Sequence, residues 1–222
     1  MNSVSGKEEC YSMSKTNKLN AVIVDDHPLA RMAIKNLLES EGITVVAEAG
    51  DGAQALLLVE EHYPDLVIVD VDIPVMSGIE VVEKLRKQAF SRIIIVVSAK
   101  NDLFYGKRSA DAGANAFISK KEGMTNIIAA VNASLNGYSY FPLSLHAFMG
   151  SLSSEQEMLQ SLSSQEIKVM RYILGGADNM KIASEMFISN KTVSTYKSRL
   201  MEKLNCKSLM DLFSFAQRNK IG

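Results

Sequence analysis

The chain has 222 residues, of which 47% are hydrophobic and 22% are charged, a composition typical of a globular protein. No apolar run is long enough to span a bilayer, and residues 1–18 lack the apolar segment of a signal peptide, so we expect a cytoplasmic protein that does not enter membranes. The net charge of −1 is unevenly distributed: residues 19–136 contain 11 Lys or Arg and 16 Asp or Glu (net −5), whereas residues 151–222 contain 10 and 7 (net +3). This asymmetry predicts different partners for the two halves, with nucleic acid as a candidate for the basic one.

From Leu19 onward, short β-rich segments alternate with segments of helical periodicity. The predicted strands are Ala21–Val24, Ile43–Ala47, Leu66–Val69, Ile93–Val97 and Ala116–Ser119. The predicted helices are Leu29–Ser40, Ala53–His62, Gly78–Lys87, Asp102–Ala112 and Met124–Asn136. Because the third and fourth strands are apolar throughout, they are expected to be buried on both faces. The pattern therefore predicts an α/β domain, a doubly wound parallel sheet covered by helices.

The C-terminal part of the chain contains only helical patterns. Ser163 and Glu166 form a capping box that starts a helix ending near Leu174. Asp178, Ser189 and Ser208 are predicted to cap three further helices, and the middle two are separated by a tight turn. The domains predicted from these changes are a flexible extension at 1–18, the α/β domain at 19–136, a linker at 137–161 and an all-α four-helix domain at 162–222.

Charged and polar residues follow four of the predicted strands. Ligands bind beyond the carboxyl ends of strands in an open parallel sheet, so these groups are expected to lie together. They are Asp25 and Asp26 after the first strand, Asp70 with Asp72 after the third, Ser98 after the fourth and Lys120 after the fifth.

This set of residues suggests metal-assisted phosphoryl chemistry. Clustered carboxylates need a counter-charge, and Mg²⁺ prefers such oxygen ligands together with a phosphoryl oxygen. Asp70, at the end of a buried strand, is placed to attack phosphorus and form an aspartyl phosphate. Lys120 and Ser98 would then bind phosphoryl oxygens. The alternative is that these are solvated loop residues.

The second and third C-terminal helices have one apolar and one polar face. Apolar residues are expected to join the two helices: Ile182, Ala183, Met186, Val193, Leu200 and Leu204. The outer face carries cations and small hydroxyl residues, which suit phosphates and a close approach to base edges in a major groove. The predicted DNA-contacting residues are Lys181, Lys191, Thr192, Ser194, Thr195, Lys197, Ser198 and Arg199. The alternative is a basic face that is merely solvated.

The strand-end residues resemble those of two-component receiver domains. The carrying motifs are Asp25-Asp26, Ser98, Lys120 and the D-x-x-x-P-x-x-x-G pattern of residues 70–78. The resemblance implies a flavodoxin-like five-stranded sheet, with Mg²⁺ held by Asp25, Asp26, Asp70 and the backbone carbonyl of Asp72. It also implies a conformational switch that consists of Ser98 and Phe117, although Phe117 is equally consistent with a plain core position.

The C-terminal segment resembles the LuxR-type helix-turn-helix of the NarL/FixJ response regulators. The shared elements are L-S-x-x-E at 162–166, Asn179, Ile182-Ala183 and S-x-x-T-V at 189–193. The run FISNKTVSTYKSRLMEKL and the run AGANAFISKKEGMTNIIAAV resemble the EvgA/BvgA group within that family. One departure is Met180, where the family often has Lys.

The resemblance implies a phosphorylation-dependent transcriptional regulator rather than an enzyme. A sensor histidine kinase or phosphorelay donor would phosphorylate Asp70, and the resulting homodimer would bind double-stranded promoter DNA. The last helix offers a dimer face or, alternatively, packs partly against the other helices: Leu209, Leu212, Phe213 and Ala216.

Two other functions fit parts of the sequence. Asp70-x-Asp72 resembles the start of haloacid-dehalogenase phosphohydrolases, in which the second Asp is a general acid. A phosphorylated adaptor whose helices bind protein is the other alternative. Sustained turnover of phosphomonoesters would favour the hydrolase, and failure to bind promoter DNA would favour the adaptor.

Overall fold

The computed structural model describes residues 18–100, 102–142 and 154–221. Its first part is built on five parallel strands in the spatial order β2-β1-β3-β4-β5. The strands are β1 (Asn20–Val24), β2 (Thr44–Ala49), β3 (Leu66–Asp70), β4 (Ile93–Ser98) and β5 (Ala116–Ser119). The strand order reverses at β1, so a crevice opens beyond the carboxyl ends of β1 and β3. The predicted α/β fold is confirmed.

Five helices cover the two faces of this sheet. They are α1 (Pro28–Ser40), α2 (Gly52–His62), α3 (Gly78–Lys87), α4 (Asp102–Asp111) and α5 (Asn126–Leu135). Helices α1 and α5 share one core with Ile68 and Ile95, whereas α2, α3 and α4 share the other with Val67 and Val69. Successive β3 residues thus enter opposite cores, which explains the uninterrupted apolar run.

The start of α3 is held close to the end of β3. Ser77 caps the helix in a reciprocal capping box with Glu80, and the Gly78 amide donates to the Val71 carbonyl at 3.0 Å. A Cβ on Gly78 would lie 2.1 Å from the carbonyl oxygen of Asp70. Only glycine allows this approach, which keeps the residue 71–77 loop folded beside Asp70.

The C-terminal part is entirely helical. Its helices are α6 (Ser154–Gln160), α7 (Ser164–Leu174), α8 (Asn179–Met186), α9 (Asn190–Lys203) and α10 (Leu209–Arg218). The predicted caps are present: the side chains of Ser163, Asp178, Ser189 and Ser208 each accept a backbone N–H from the first turn that follows. The helix-turn-helix arrangement of α8 and α9 is confirmed.

Helix α6 was not predicted, because its serine-rich surroundings were assigned to the linker 137–161. Leu159 is buried, and Glu155 binds Arg218 at 2.9 Å and Asn219 at 2.8 Å. The segment assigned to the linker therefore contains a helix, and the four helices predicted for residues 162–222 follow it. Acidic residues in the first turn, Glu155 and Glu157, were the available helix signal.

The uncharged segment after α5 packs against the sheet edge in its described part. Tyr140 forms a parallel bridge with Ala116, and its carbonyl accepts the Phe117 amide at 2.9 Å. This pairing covers the edge of β5. Residues 143–150 and the predicted extension 1–18, except Lys18, lie outside the described residues. Within the described ranges, no helix combines the length and apolar character needed to cross a bilayer.

Candidate functional site

An acidic pocket lies in the crevice between β1 and β3. Asp25 and Asp26 follow β1, and Asp70 ends β3. Carboxylate oxygens of these three residues and a ring nitrogen of His27 all lie within 4.8 Å of one another. Asp25 and Asp70 are buried, whereas Asp26 is partly exposed. The residues at these strand ends thus lie together, as the sequence predicted.

Lys120 is the internal counter-ion of this pocket. Its Nζ lies 2.6 Å from Oδ2 of Asp25 and 3.1 Å from Oδ2 of Asp70. Burial lowers the pKa of Lys120, but its hydrogen bond to Asp25 and the charges of Asp70 and Asp25 outweigh that effect and raise it overall. The ammonium thus stays charged, and it cannot neutralise three carboxylates alone.

Asp70 is the carboxylate whose ionisation is most clearly perturbed. Burial raises its pKa to about 6; Lys120 opposes this shift, and the charges of Asp25 and Asp26 add to it. Removing excess negative charge would lower that pKa. An oxygen-rich donor set with surplus negative charge fits a hard divalent cation such as Mg²⁺.

The side chain of Asp72 is not a member of the carboxylate cluster and binds two cations. Lys100 Nζ lies 2.9 Å from its Oδ2, and Arg171 of α7 donates to its Oδ1. The carboxylate is therefore not one of the clustered ligands, and only the backbone carbonyl is available for the role that the resemblance implies. Neither Lys100 nor Arg171 was predicted, and residue spacing gives no signal for a contact 99 positions away.

The two predicted switch residues are both buried. Ser98 ends β4, and its Oγ accepts the Lys100 amide at 3.0 Å. Phe117 lies in the core shared by α2, α3 and α4, and a Cβ on Gly106 would lie 3.5 Å from its ring. This environment is that of a core residue, and the switch role of Ser98 and Phe117 stays a prediction.

His27, to which the sequence analysis assigned no role, lies at the edge of the pocket. Its Nδ1 is 2.7 Å from Asp26 and 3.3 Å from Asp25, and its backbone N–H donates to Asp25 at 2.9 Å. Pro28 follows as the first residue of α1, where a missing N–H has no cost. The doubled aspartate is thus fixed by the start of α1.

Helix α9 carries most of the predicted DNA-contacting residues. Its apolar side is buried through Val193 and Leu200, against Ile182 of α8. Its polar face contains five exposed residues and two partly buried ones: Lys191, Ser194, Thr195, Ser198 and Arg199, with Thr192 and Lys197. Thr192 also binds the capping Ser189 at 2.8 Å. Lys181 is exposed on α8.

The predicted dimer face on α10 is divided by the structure. Leu212 and Ala216 are buried, so the alternative that part of this helix packs against the other helices holds for these two residues. Leu209 and Phe213 are 42% and 41% exposed, and Met210 beside them is 74% exposed. The exposed apolar surface of α10 is therefore Leu209, Met210 and Phe213.

The two units contact each other through the loop that follows β3 and through α4. Besides Arg171 with Asp72, Lys168 Nζ of α7 donates to the Val75 carbonyl at 2.7 Å. Arg108 of α4 donates to the Leu162 carbonyl at 3.1 Å. A cleft of about 590 Å³ lies between this loop and helices α7 and α8.

The structure combines a doubly wound sheet, which has an acidic pocket where its strand order reverses, with a helix-turn-helix unit. This combination defines a receiver domain joined to a domain of a DNA-binding class. Sequence comparison agrees: residues 21–132 match the response regulator receiver domain, and residues 160–216 match the bacterial regulatory proteins of the luxR family. The chain belongs to the response regulators that combine these two domains, the NarL/FixJ family.

Individual relatives give the same result. The DNA-binding transcriptional activator EvgA of Escherichia coli K12 is 67% identical over 92% of this chain and 100% of its own length. BvgA of Bordetella pertussis is 36% identical over 90% and 98%. Among solved structures, RcsB of Salmonella enterica serovar Typhimurium bound to promoter rprA with BeF₃⁻ has a TM-score of 0.71 at 24% identity, over 90% and 99%. That likeness supports the fold.

Proposed function

We propose that this protein is a transcriptional regulator whose binding to promoter DNA is controlled by phosphorylation of Asp70. The observation that carries the proposal is the bridging position of Lys120 Nζ, 2.6 Å from Asp25 and 3.1 Å from Asp70. The Lys120 ammonium, which can bind phosphate, thus lies between a buried nucleophile, Asp70, and a carboxylate suited to metal binding, Asp25. All three groups lie at the same edge of the sheet. The 67% identity to a DNA-binding transcriptional activator supports the output.

The chemistry follows from these positions. A carboxylate oxygen of Asp70 attacks phosphorus while the bond to the donor breaks, and the leaving group of a sensor histidine kinase or phosphorelay donor is an imidazole nitrogen. Lys120 binds the phosphoryl oxygens, and Ser98 donates a hydrogen bond to one of them. Asp25, Asp26, Asp70 and the Asp72 carbonyl would hold Mg²⁺, which neutralises charge that develops on the phosphoryl group.

The output surface is the polar face of α9 together with Lys181. Its exposed cations suit phosphate contacts, and its small hydroxyl side chains allow close approach to base edges. Two copies would bind two half-sites, and the exposed Leu209, Met210 and Phe213 of α10 support association of those copies. The phosphoryl group would favour this state through charge and three acceptor oxygens.

The hydrolase alternative has less support. In that class the second Asp of the motif donates a proton, but the Asp72 carboxylate binds Lys100 and Arg171. Each carboxylate oxygen is thus paired with a cation, and neither is free to bring a proton to a leaving group. We therefore propose no sustained phosphomonoester turnover.

The test is labelling of the full chain with a small phosphoramidate donor, followed by DNA binding. Wild type should form an acyl phosphate that hydroxylamine cleaves, and Asp70→Asn should form none. Asp65→Asn is the matched control, because Asp65 lies just before the same strand at the opposite edge of the sheet. Persistent labelling of Asp70→Asn would refute the acceptor assignment.

The second stage uses the same proteins on a library of genomic DNA fragments. Phosphorylated wild type should retain specific fragments more tightly than Asp70→Asn does. A labelled protein that retains no DNA at low salt would favour the adaptor alternative instead.

A further inference from the structure

Arg171 is a residue of the C-terminal unit that reaches the loop beside the phosphoacceptor. Its guanidinium donates to Oδ1 of Asp72, and Lys100 binds the other oxygen at 2.9 Å. The side chains of Arg171 and Asp72 are 24% and 23% exposed, so the pair is largely screened from water. Lys168, one turn earlier on α7, holds the Val75 carbonyl of the same loop.

Arg171 places a cation beside the acidic pocket. Its guanidinium pairs with Asp72, and both residues line a cleft that Asp26 and His27 also line. The positive charge of Arg171 therefore lies near the carboxylates that a divalent cation would bind, and it opposes the approach of that cation.

A charge count shows how much this contribution matters. The charged groups at the site are four carboxylates and three cations: Asp25, Asp26, Asp70 and Asp72, with Lys100, Lys120 and Arg171. Four negative and three positive charges leave a net charge of −1, and without Arg171 the net charge becomes −2. A divalent cation is attracted more strongly to the second arrangement.

The contact leaves the recognition helix α9 uncovered. Lys191, Ser194, Thr195, Ser198 and Arg199 are exposed while Arg171 is paired with Asp72. The Arg171–Asp72 pair therefore does not act by burying the polar face of α9 against the receiver. The loop that Arg171 does hold includes Asp72, the residue whose carbonyl is the expected metal ligand.

We propose that Arg171 is a positioning residue of the phosphorylation site. By pairing with Asp72 it holds the residue 71–77 loop and weakens binding of the divalent cation. Binding of the cation at the site is therefore coupled to release of the C-terminal unit. The proposal rests on the proposed function, because it requires the metal site. The coupling is reciprocal, so bound metal weakens the Arg171–Asp72 pair by the factor by which the pair weakens metal binding.

The experiment measures binding of Mn²⁺ alone, as a Mg²⁺ substitute, to the full unphosphorylated chain by electron paramagnetic resonance of the free ion. Arg171→Gln should bind Mn²⁺ about fivefold more tightly than wild type, at the low end of typical coupling between sites. Lys168→Gln is the matched control, because it removes a cation of the same interface that binds a carbonyl rather than a carboxylate. Its affinity should equal that of wild type.

Two further variants separate charge from general loosening of the interface. Arg171→Lys retains the charge and should retain the wild-type affinity. In the Asp72→Asn background, Arg171→Gln should change the affinity less than twofold, because the partner charge is already absent.

Failure of the two proposals gives different results. If wild type binds no Mn²⁺, the metal site of the proposed function is wrong. If wild type binds Mn²⁺ and Arg171→Gln binds it equally well, the metal site stands and the role of Arg171 is refuted. An Arg171→Lys affinity equal to that of Arg171→Gln, or an equal gain in Lys168→Gln, would also overturn the proposal.

Discussion

Replacing Asp70 by Asn is expected to stabilise the metal-free protein, although it removes the proposed phosphoacceptor. The change keeps the shape of the side chain and removes its ability to ionise. Burial raises the pKa of Asp70 from 3.8 to about 6, so the folded protein disfavours the charged form. The unfolded chain has no such preference, and ionisation therefore costs folding free energy in wild type.

The size of the effect follows from the shift. A rise of about two pKa units at about 1.4 kcal/mol each gives an upper value near 3 kcal/mol at pH 8. The sign is set by proton binding: between pH 4 and 6, approximately, the folded state holds the Asp70 proton more tightly than the unfolded state. The ionised Asp70 of the wild type therefore does not destabilise the protein below about pH 4. The destabilisation grows between about pH 4 and 6 and is complete above about pH 6.

The assay is urea unfolding followed by far-ultraviolet circular dichroism, with EDTA present, for wild type and Asp70→Asn at a series of pH values. The difference in free energy of unfolding should grow from near zero at about pH 4 to about 2–3 kcal/mol at pH 8. Asp111→Asn is the control, since Asp111 is exposed and its replacement should change stability by less than about 0.5 kcal/mol. Adding Mg²⁺ should reduce the Asp70→Asn difference, because wild type gains stability by binding it.

A difference that does not vary with pH would refute this reasoning. It would mean that Asp70 is ionised in both states without cost, so that Lys120 alone compensates its burial. The reasoning would also be refuted if, at pH 8 in EDTA, wild type were more stable than Asp70→Asn.

Three further changes test other parts of the molecule. Gly78→Ala should lower the free energy of unfolding by about 1–3 kcal/mol in urea titrations, because its Cβ would meet the Asp70 carbonyl at 2.1 Å; an unchanged midpoint would contradict this. Lys197→Ala should weaken binding to all DNA fragments and reduce the slope of log affinity against log salt by about one; an unchanged slope would show that Lys197 contacts no phosphate. Phe213→Glu should shift the phosphorylated protein toward monomer in analytical ultracentrifugation, whereas an unchanged dimer would exclude the exposed α10 surface.

Much of the fold could be predicted because its signals are local. The apolar runs of β3 and β4 indicate burial on both faces, and residues such as Ser163 and Asp178 mark helix starts through bonds made within three positions. Helix α6 escaped prediction because it is short and lies in a serine-rich segment. Its stability comes from contacts such as Glu155 with Arg218, which are 63 positions apart.

The pocket could be predicted for a related reason. In a parallel sheet the carboxyl ends of all strands meet at one edge, so strand assignment alone brings Asp25, Asp70 and Lys120 together. Topology does not determine side-chain direction, however. Asp72 belongs to the motif, but its carboxylate binds Arg171 of α7, which the motif does not predict. The division of α10 into buried and exposed apolar residues likewise depends on packing.

The uneven charge of the chain acquires a second explanation from the contact between its units. The sequence indicated different partners for an acidic and a basic part, yet Arg171 and Lys168 of the basic part bind the loop of the acidic one. These residues lie on α7, whereas the proposed DNA-contacting cations lie on α8 and α9. The receiver contacts and most of the proposed DNA-contacting residues thus lie on different helices of the same unit, although Lys181 of α8 also lines the cleft beside the receiver loop. In the proposed mechanism, control of DNA binding acts through the position of this unit, and the Arg171–Asp72 pair connects that position to the proposed phosphorylation site.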